Sequence, residues 1–251
     1  QLTSFFESLF QAIMRMTEII IKFAPIGVLG LITKTVATSG FEMFAAVGIY
    51  MLTIATGLSV HILVVLPLIF FLLTRINPII HFKAMASAMA TAFSTSSSSA
   101  TLPVTMRCVR ENAGVSNETS SFVLPMGATV NMDGTSVYQV MALVFLMSLF
   151  GEVAGVEITS STLASIALLV VLYSVGTPGV PGGSVKVIQD VLVMFGIPPG
   201  VIGIILPMDR LLDMSRSAVN VCGDLFTASV TDNLCRRGLE DTASNQNDLS
   251  G

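Results

Sequence analysis

The sequence has no tryptophan, two histidines, three cysteines and only 11% charged residues in its 251 positions. A water-soluble domain typically carries about a quarter charged residues, and 12 basic plus 16 acidic side chains cannot cover a soluble surface of this size. Cys108, Cys222 and Cys235 are odd in number and lack CxxC spacing, so they imply neither a disulfide framework nor a zinc site. No HExxH or GxSxG occurs, which removes the usual hydrolytic machinery. A net charge of −4, with no Lys/Arg run interleaved with aromatics, excludes nucleic acid as a partner. What remains is apolar: 53% of residues are hydrophobic and the mean hydropathy is +0.82. Such a chain belongs in a lipid bilayer. With Gln1 in place of an initiator Met and no signal peptide ahead of it, the sequence reads as a fragment or a processed product.

The apolar runs place the membrane segments. Met43 to Thr74 contains no Asp, Glu, Lys or Arg and exceeds the roughly 20 residues one spanning helix needs. Ile13 to Ile32 reads as a span entering from the side of Arg15, Glu18 and Lys22, bent at Pro25-Ile26-Gly27. Phe122 to Phe150 is a third span, interrupted at Gly127 and Asn131 to Thr135, and Val201 to Thr231 a fourth that carries several charges. Two further apolar segments, Ala84 to Thr105 and Ile158 to Phe195, have Ser, Pro and Gly where a helix should be continuous. Irregular backbone at membrane depth is tolerated only when buried in protein or lining a wet cavity. These two are predicted to be helical hairpins re-entering from opposite sides.

The expected fold is therefore an all-α membrane protein with about four transmembrane helices and two re-entrant hairpins. Each hairpin precedes a span with polar residues at its centre, an inverted repeat of the kind transporters use. Residues 1–42 form the first, scaffold-side span and 43–83 the second span with a cytoplasmic loop. Residues 84–151 hold the first hairpin and the broken polar span, 152–239 the second hairpin and the polar last span, and 240–251 a disordered tail. Arg75, Lys83, Arg107, Arg110, Arg236 and Arg237 set one side as cytoplasmic, with both termini; Glu152 and Glu157 flank the other. The Asn117-Glu118-Thr119 sequon falls on the cytoplasmic side and is expected to be unused.

In the last span Asp209, Asp213, Arg216, Asn220 and Asp224 follow one another at intervals of four, three, four and four. At about 100° per residue they share one helical face. Ionisable residues inside a membrane are costly and mark functional cavities. With Asp133 the face sums to −3, so it calls for cations. An arginine suits a ligand carboxylate, the surplus acids suit a ligand ammonium or hard cations, and unwound backbone near Asn131 and Asp133 would offer carbonyls. The competing reading is that these charges pair with one another to hold the bundle. The Ser run at Ser94 to Ser99 is read as a cavity wall rather than a linker, the Gly/Pro cluster as a hinged gate, and His61 as a satisfied core histidine rather than a ligand.

Four motifs in order, SSSSATLP at Ser96 to Pro103, NMDGT at Asn131 to Thr135, GTPGVPGG at Gly176 to Gly183 and DMSRSAVNVCGD at Asp213 to Asp224, resemble the dicarboxylate/amino acid:cation symporter family. That family holds the glutamate transporters and their archaeal aspartate-transporting relatives. The resemblance implies a substrate pocket of Ser98, Thr135, Val180, Asp213, Arg216 and Asn220, with Arg216 on the side-chain carboxylate, Asp213 on the amino group and Asn220 on the main-chain carboxylate. It implies one cation site at Gly127, Asn131, Asn220 and Asp224, a second at Thr129, Met132, Ser174, Val175 and Thr177, and Asp133 in a third. Pro178, Gly179, Val180, Pro181, Gly182 and Gly183 would be the gate.

The implied activity is secondary active transport of aspartate or glutamate, coupled to sodium ions or protons, by alternating access. Assembly as a homotrimer in a plasma membrane or bacterial inner membrane goes with it. Alternatives are a truncated chain that binds ligand without transporting it, or a neutral amino acid or dicarboxylate as substrate. Members that carry acidic amino acids usually have a second arginine, at the position of Ser96 or of Met214, and Ser184 stands where glycine is common. An enzyme is not expected: the GxGD sequence of intramembrane aspartyl proteases is missing, since Val221 lies two residues before Gly223.

Overall fold

The computed structural model describes residues 2–23, 26–27, 29–30, 33, 37, 42–177 and 179–249, and every element among them is a helix. Helix α1 (Leu2–Lys22) begins well before the expected start of the first span, and its described side chains are all exposed. The bend expected beyond it involves Pro25, which lies outside the described residues. Helix α2 (Glu42–Val60) continues through a π-helical turn at His61–Val65 into α3 (Leu66–Thr74). Together they cover the uninterrupted apolar run. The 30 residues from Ala45 to Thr74 are strongly apolar, yet only 11% of their most apolar stretch is buried inside the molecule. Ile49, Leu52 and Leu63 are each more than 65% exposed, a surface that water would not tolerate and hydrocarbon does.

Two helix-break-helix units follow. In the first, α4 (Pro78–Thr95) stops because Ser96 turns left-handed at φ 53°, and Ser97 restarts the chain by capping α5 (Ser98–Arg107) through Ala100 N. A second π-helical turn, Cys108–Asn112, closes this unit. In the second, α8 (Ser160–Ser174) ends before the Gly/Pro cluster, and Gly182 at φ 77° precedes α9 (Gly183–Met194). Both breaks fall inside the segments the sequence marks as interrupted.

Between these units lie α6 (Asn117–Val130) and α7 (Asp133–Ala154), separated by Asn131 and Met132 in non-helical conformation. A short 3-10 turn, Pro199–Ile204, leads into α10 (Leu206–Leu249). Where an irregular tail is expected from about Glu240, the backbone is helical to Leu249; no glycine or proline lies beyond Leu239 in this helix to stop it.

Helix α10 is the axis of the fold, because each of three buried clusters uses a different face of it. Leu212 and Val219 join Tyr50, Ile54, Leu143, Ile166 and Ile188. Val221, Leu225 and Ala228 join Met85, Ala88, Ala92 and Leu124 of the first unit and α6. Cys222 and Phe226 pack on Phe70. Between Leu211 and Phe226 only the stripe of Leu211, Met214, Ser215 and Ala218 on this helix is left partly open, and its polar face from Asp209 to Asp224 is held inside the protein.

Candidate functional site

The tips of the two broken units meet. Ser97 Oγ donates to the Gly179 carbonyl at 2.7 Å, and Ser99 N donates to the same oxygen at 3.3 Å. Gly179 has to be glycine for this approach: a Cβ there would lie 2.6 Å from the Ala128 carbonyl and 2.8 Å from Ser99 Oγ. Beneath the tips, Ser98, Thr135, Val180, Asp213, Arg216 and Asn220 line one cavity, joined by Ser96, Met132, Thr177 and Ser184. All six residues of the expected substrate pocket are thus brought together from α5, α7, α10 and the second tip. The enclosed space is about 10 Å³, the room of roughly one water molecule.

The polar face of α10 is buried as its spacing requires: Asp209, Asp213, Arg216, Asn220 and Asp224 are all less than 10% exposed. Arg216, at 2%, donates from Nε to Asp213 Oδ1 at 2.9 Å and from Nη1 to Asp209 Oδ1 at 3.2 Å. Its guanidinium lies 4.2 Å from the centre of the Tyr138 ring, and the Tyr138 hydroxyl donates to Asp209 at 2.6 Å. Asp213 uses its other oxygen to accept from Gly182 N at 3.0 Å, which fastens the second tip to α10. Pairing of charges therefore accounts for Asp209 and Asp213.

Pairing does not account for Asp224 and Asp133. Asp224 Oδ1 accepts from the Asn131 amide at 3.1 Å, and Gly127 presses against it so closely that a Cβ would sit 2.6 Å from that oxygen. Gly127, Asn131 and Asp224 are thus together, while Asn220, one turn earlier on α10, exchanges two hydrogen bonds with Thr135. Asp133 Oδ2 is in hydrogen-bond contact with His61 Nε2 at 2.8 Å, whereas its Oδ1 is buried without a partner. That contact satisfies His61 and ties the turn between α2 and α3 to the start of α7. Gly223 leaves room for this carboxylate, with both oxygens under 3 Å from where a Cβ would stand.

The second expected cation set is only partly assembled. Met132 and Thr177 line the cavity, and Thr177 N donates to the Ser174 carbonyl at 3.1 Å, but the side chains of Thr129 and Val175 are exposed. Among the described residues no group of three or more His, Cys, Asp or Glu side chains is placed to hold a metal. The donors on offer are isolated carboxylates, amides, hydroxyls and unwound carbonyls, which suit a hard monovalent cation better than zinc. Of the gate residues, Gly179, Val180 and Gly183 line the cavity and Gly182 holds Asp213, while Pro178 lies outside the described residues.

Tyr138 and His61 enter the site without having been assigned to it from the sequence, and Asp209, read there as part of the polar face, is the partner of both Arg216 and Tyr138. Tyr138 follows Thr135 by three residues on one helix, and Asp209 precedes Asp213 by four, so helical spacing was the available signal. For His61, 72 positions from its partner, there was none.

The model of the Sodium:dicarboxylate symporter family matches residues 1–234. The chain is 40% identical over 246 residues to excitatory amino acid transporter 3 of Homo sapiens, an alignment covering 95% of this chain and 45% of that protein. It is 41% identical over 245 residues to excitatory amino acid transporter 4 of Mus musculus, covering 95% and 42%. Against excitatory amino acid transporter 1 of Homo sapiens it is 37% identical over 243 residues, covering 95% and 44%. The chain spans less than half the length of these curated relatives. They are transporters, not enzymes. With its four motifs gathered at one buried site and the family model covering all but its last residues, the chain belongs to the sodium:dicarboxylate symporter family.

Proposed function

We propose that the chain forms the substrate-binding part of a secondary active transporter that moves aspartate or glutamate with sodium ions by alternating access. The observation that carries this reading is the buried Arg216 facing a cavity shared by Ser98, Thr135, Val180, Asp213 and Asn220. A guanidinium at 2% exposure matches a side-chain carboxylate bidentately, and one held by two aspartates has its ligand geometry already oriented. Asp213 then takes the substrate's ammonium and Asn220 its main-chain carboxylate. Neutralising two further buried acids, Asp224 and Asp133, falls to sodium, with Asn131, Gly127 and Asn220 around the first. Thr129, Met132, Ser174, Val175 and Thr177 would supply a second sodium site through backbone and hydroxyl oxygens.

The cavity is too small for an amino acid as it stands, which supports a gate. Loading requires the second tip to withdraw, releasing the Gly182–Asp213 bond and the bonds from Ser97 and Ser99 to Gly179. The neutral bonds to Gly179 are worth about 0.5–1.5 kcal/mol net and the one to the Asp213 carboxylate about 1.5–3, so the contact is closed but not locked. In this reading the two broken units are re-entrant hairpins, α2–α3, the interrupted α6–α7 and α10 span the membrane, and α1 begins a further span. Homotrimeric assembly, a place in the plasma membrane or a bacterial inner membrane, and a cytoplasmic C-terminus belong to the same reading and rest on the family.

The test is thermal stability of the detergent-purified chain with sodium and L-aspartate, alone and together. Binding to the folded state raises apparent stability by mass action, about 2.7 kcal/mol at a ligand concentration 100 times Kd. A shift that needs both ligands is expected. A shift with L-aspartate in the absence of sodium would overturn sodium coupling. Arg216→Lys should remove the L-aspartate response, and an undiminished response in that variant would overturn the substrate assignment.

A further inference from the structure

We propose that Arg75 and Arg237 form a headgroup site for an anionic phospholipid at the end of the α2–α3 helix. Arg75 is the first charged residue after the 30-residue apolar run, which puts it where hydrocarbon gives way to headgroups. It caps α3 in the left-handed region at φ 61°, a position where glycine is the default and a long side chain carries a conformational cost. Its guanidinium leans over the Phe71 ring at 5.8 Å.

Arg237, distant in sequence on α10, is brought to the same spot, where its Nη2 donates to the Thr74 carbonyl at 2.9 Å. Both arginines are exposed, and neither has a carboxylate partner among the described residues. Arg236 beside them is different: it is consumed by Asp232 and the Gly114 carbonyl. Two unneutralised arginines, one at position 75 and one bonded to the carbonyl of its neighbour Thr74, offer a phosphate the forked donors it accepts. Leu72, Leu73, Ile79 and Ile80, each between 46% and 61% exposed on either side of Arg75, offer the apolar surface that acyl chains need. An acidic peptide would satisfy the arginines but leave those four side chains unexplained, so a lipid is the occupant that uses both halves of the surface.

This inference rests on the chain lying in a membrane, not on its transporting anything. The chain reconstituted into nanodiscs is examined by electron paramagnetic resonance with spin-labelled phosphatidylglycerol and phosphatidylcholine. Motionally restricted phosphatidylglycerol should exceed phosphatidylcholine in 0.1 M salt, and the excess should shrink in 1 M salt as screening tightens. Removing each arginine should lower the relative affinity about fivefold, the factor that roughly 1 kcal/mol per basic residue implies. Arg75→Gly keeps the left-handed cap, so it removes the guanidinium without endangering the fold; Arg237→Gln serves as its partner. Equal restriction of the two lipids, or an unchanged phosphatidylglycerol excess in the double variant, overturns the proposal. Failure to insert at all would instead count against the membrane reading, and the two failures are told apart by whether restricted lipid of either kind is seen.

Discussion

Helix α10 and the α2–α3 helix invert the pattern of a water-soluble protein in opposite ways. The first buries four aspartates, an arginine and an asparagine at under 10% exposure; the second turns Ile49, Leu52 and Leu63 outward at more than 65%. In water both would be costly. In a bilayer both are explained by one rule: the surroundings are hydrocarbon, so polarity is collected inside and apolar side chains face out. Both helices share the same apolar clusters; what differs is the rest of their surface, directional polar partners on α10 and uncovered apolar side chains on α2–α3.

The largest effect should come from cutting into the partnered helix. Arg216→Ala leaves Asp209 and Asp213 facing each other without a cation, and breaking a buried ion pair from one side costs about 3–5 kcal/mol. Thermal unfolding should show that loss, and Arg216→Lys should recover most of the stability while L-aspartate binding stays absent. Next comes the converse change on the lipid-facing helix. Leu52→Lys, harmless on a soluble surface, should cost about 3 kcal/mol if that face meets hydrocarbon. Insertion yield into liposomes reads this directly, and a normal yield would break the comparison.

A smaller effect is expected where backbone, not side chain, makes the room. Gly127→Ala pushes a methyl to 2.6 Å from Asp224 Oδ1, an overpacking cost of about 1–3 kcal/mol. Its signature should be a sodium affinity reduced more than the L-aspartate affinity measured at saturating sodium, by calorimetric titration. The smallest belongs to Leu63→Ala. The lost side chain faces outward, so stability should change by less than about 0.5 kcal/mol. A loss of several kcal/mol would mean that another protein surface covers this face.

How much of this was legible beforehand differs between the same two regions. The polar face of α10 follows from arithmetic on one helix, and both chain breaks follow from Ser, Gly and Pro in apolar surroundings. The family motifs named the six residues that the structure gathers at one cavity. What stayed hidden depends on how helices pack. The Tyr138 ring against Arg216 requires knowing that α7 lies against α10, whereas the pairing of Arg216 with Asp209 and Asp213 lies within one helix. The His61–Asp133 contact links positions with no shared period. In the tail, small polar residues read as irregular, although none of them forbids the helix that runs on to Leu249.

The π-helical turn at His61–Val65 acts as a phase shifter. Before it, the inward residues are Val47, Tyr50, Ile54 and Leu58; a regular helix would carry that stripe on to residues 69 and 72 or 73, yet the buried positions are Phe70 and Thr74. The wider turn absorbs one residue and delays the stripe by one position, about 100° of rotation. Deleting a single residue there would leave a regular helix in which Pro67, lacking an N–H, meets the carbonyl four residues before it. It would also swing Phe70 away from Cys222 and Phe226, and carry Arg75 to a different quadrant of the membrane surface.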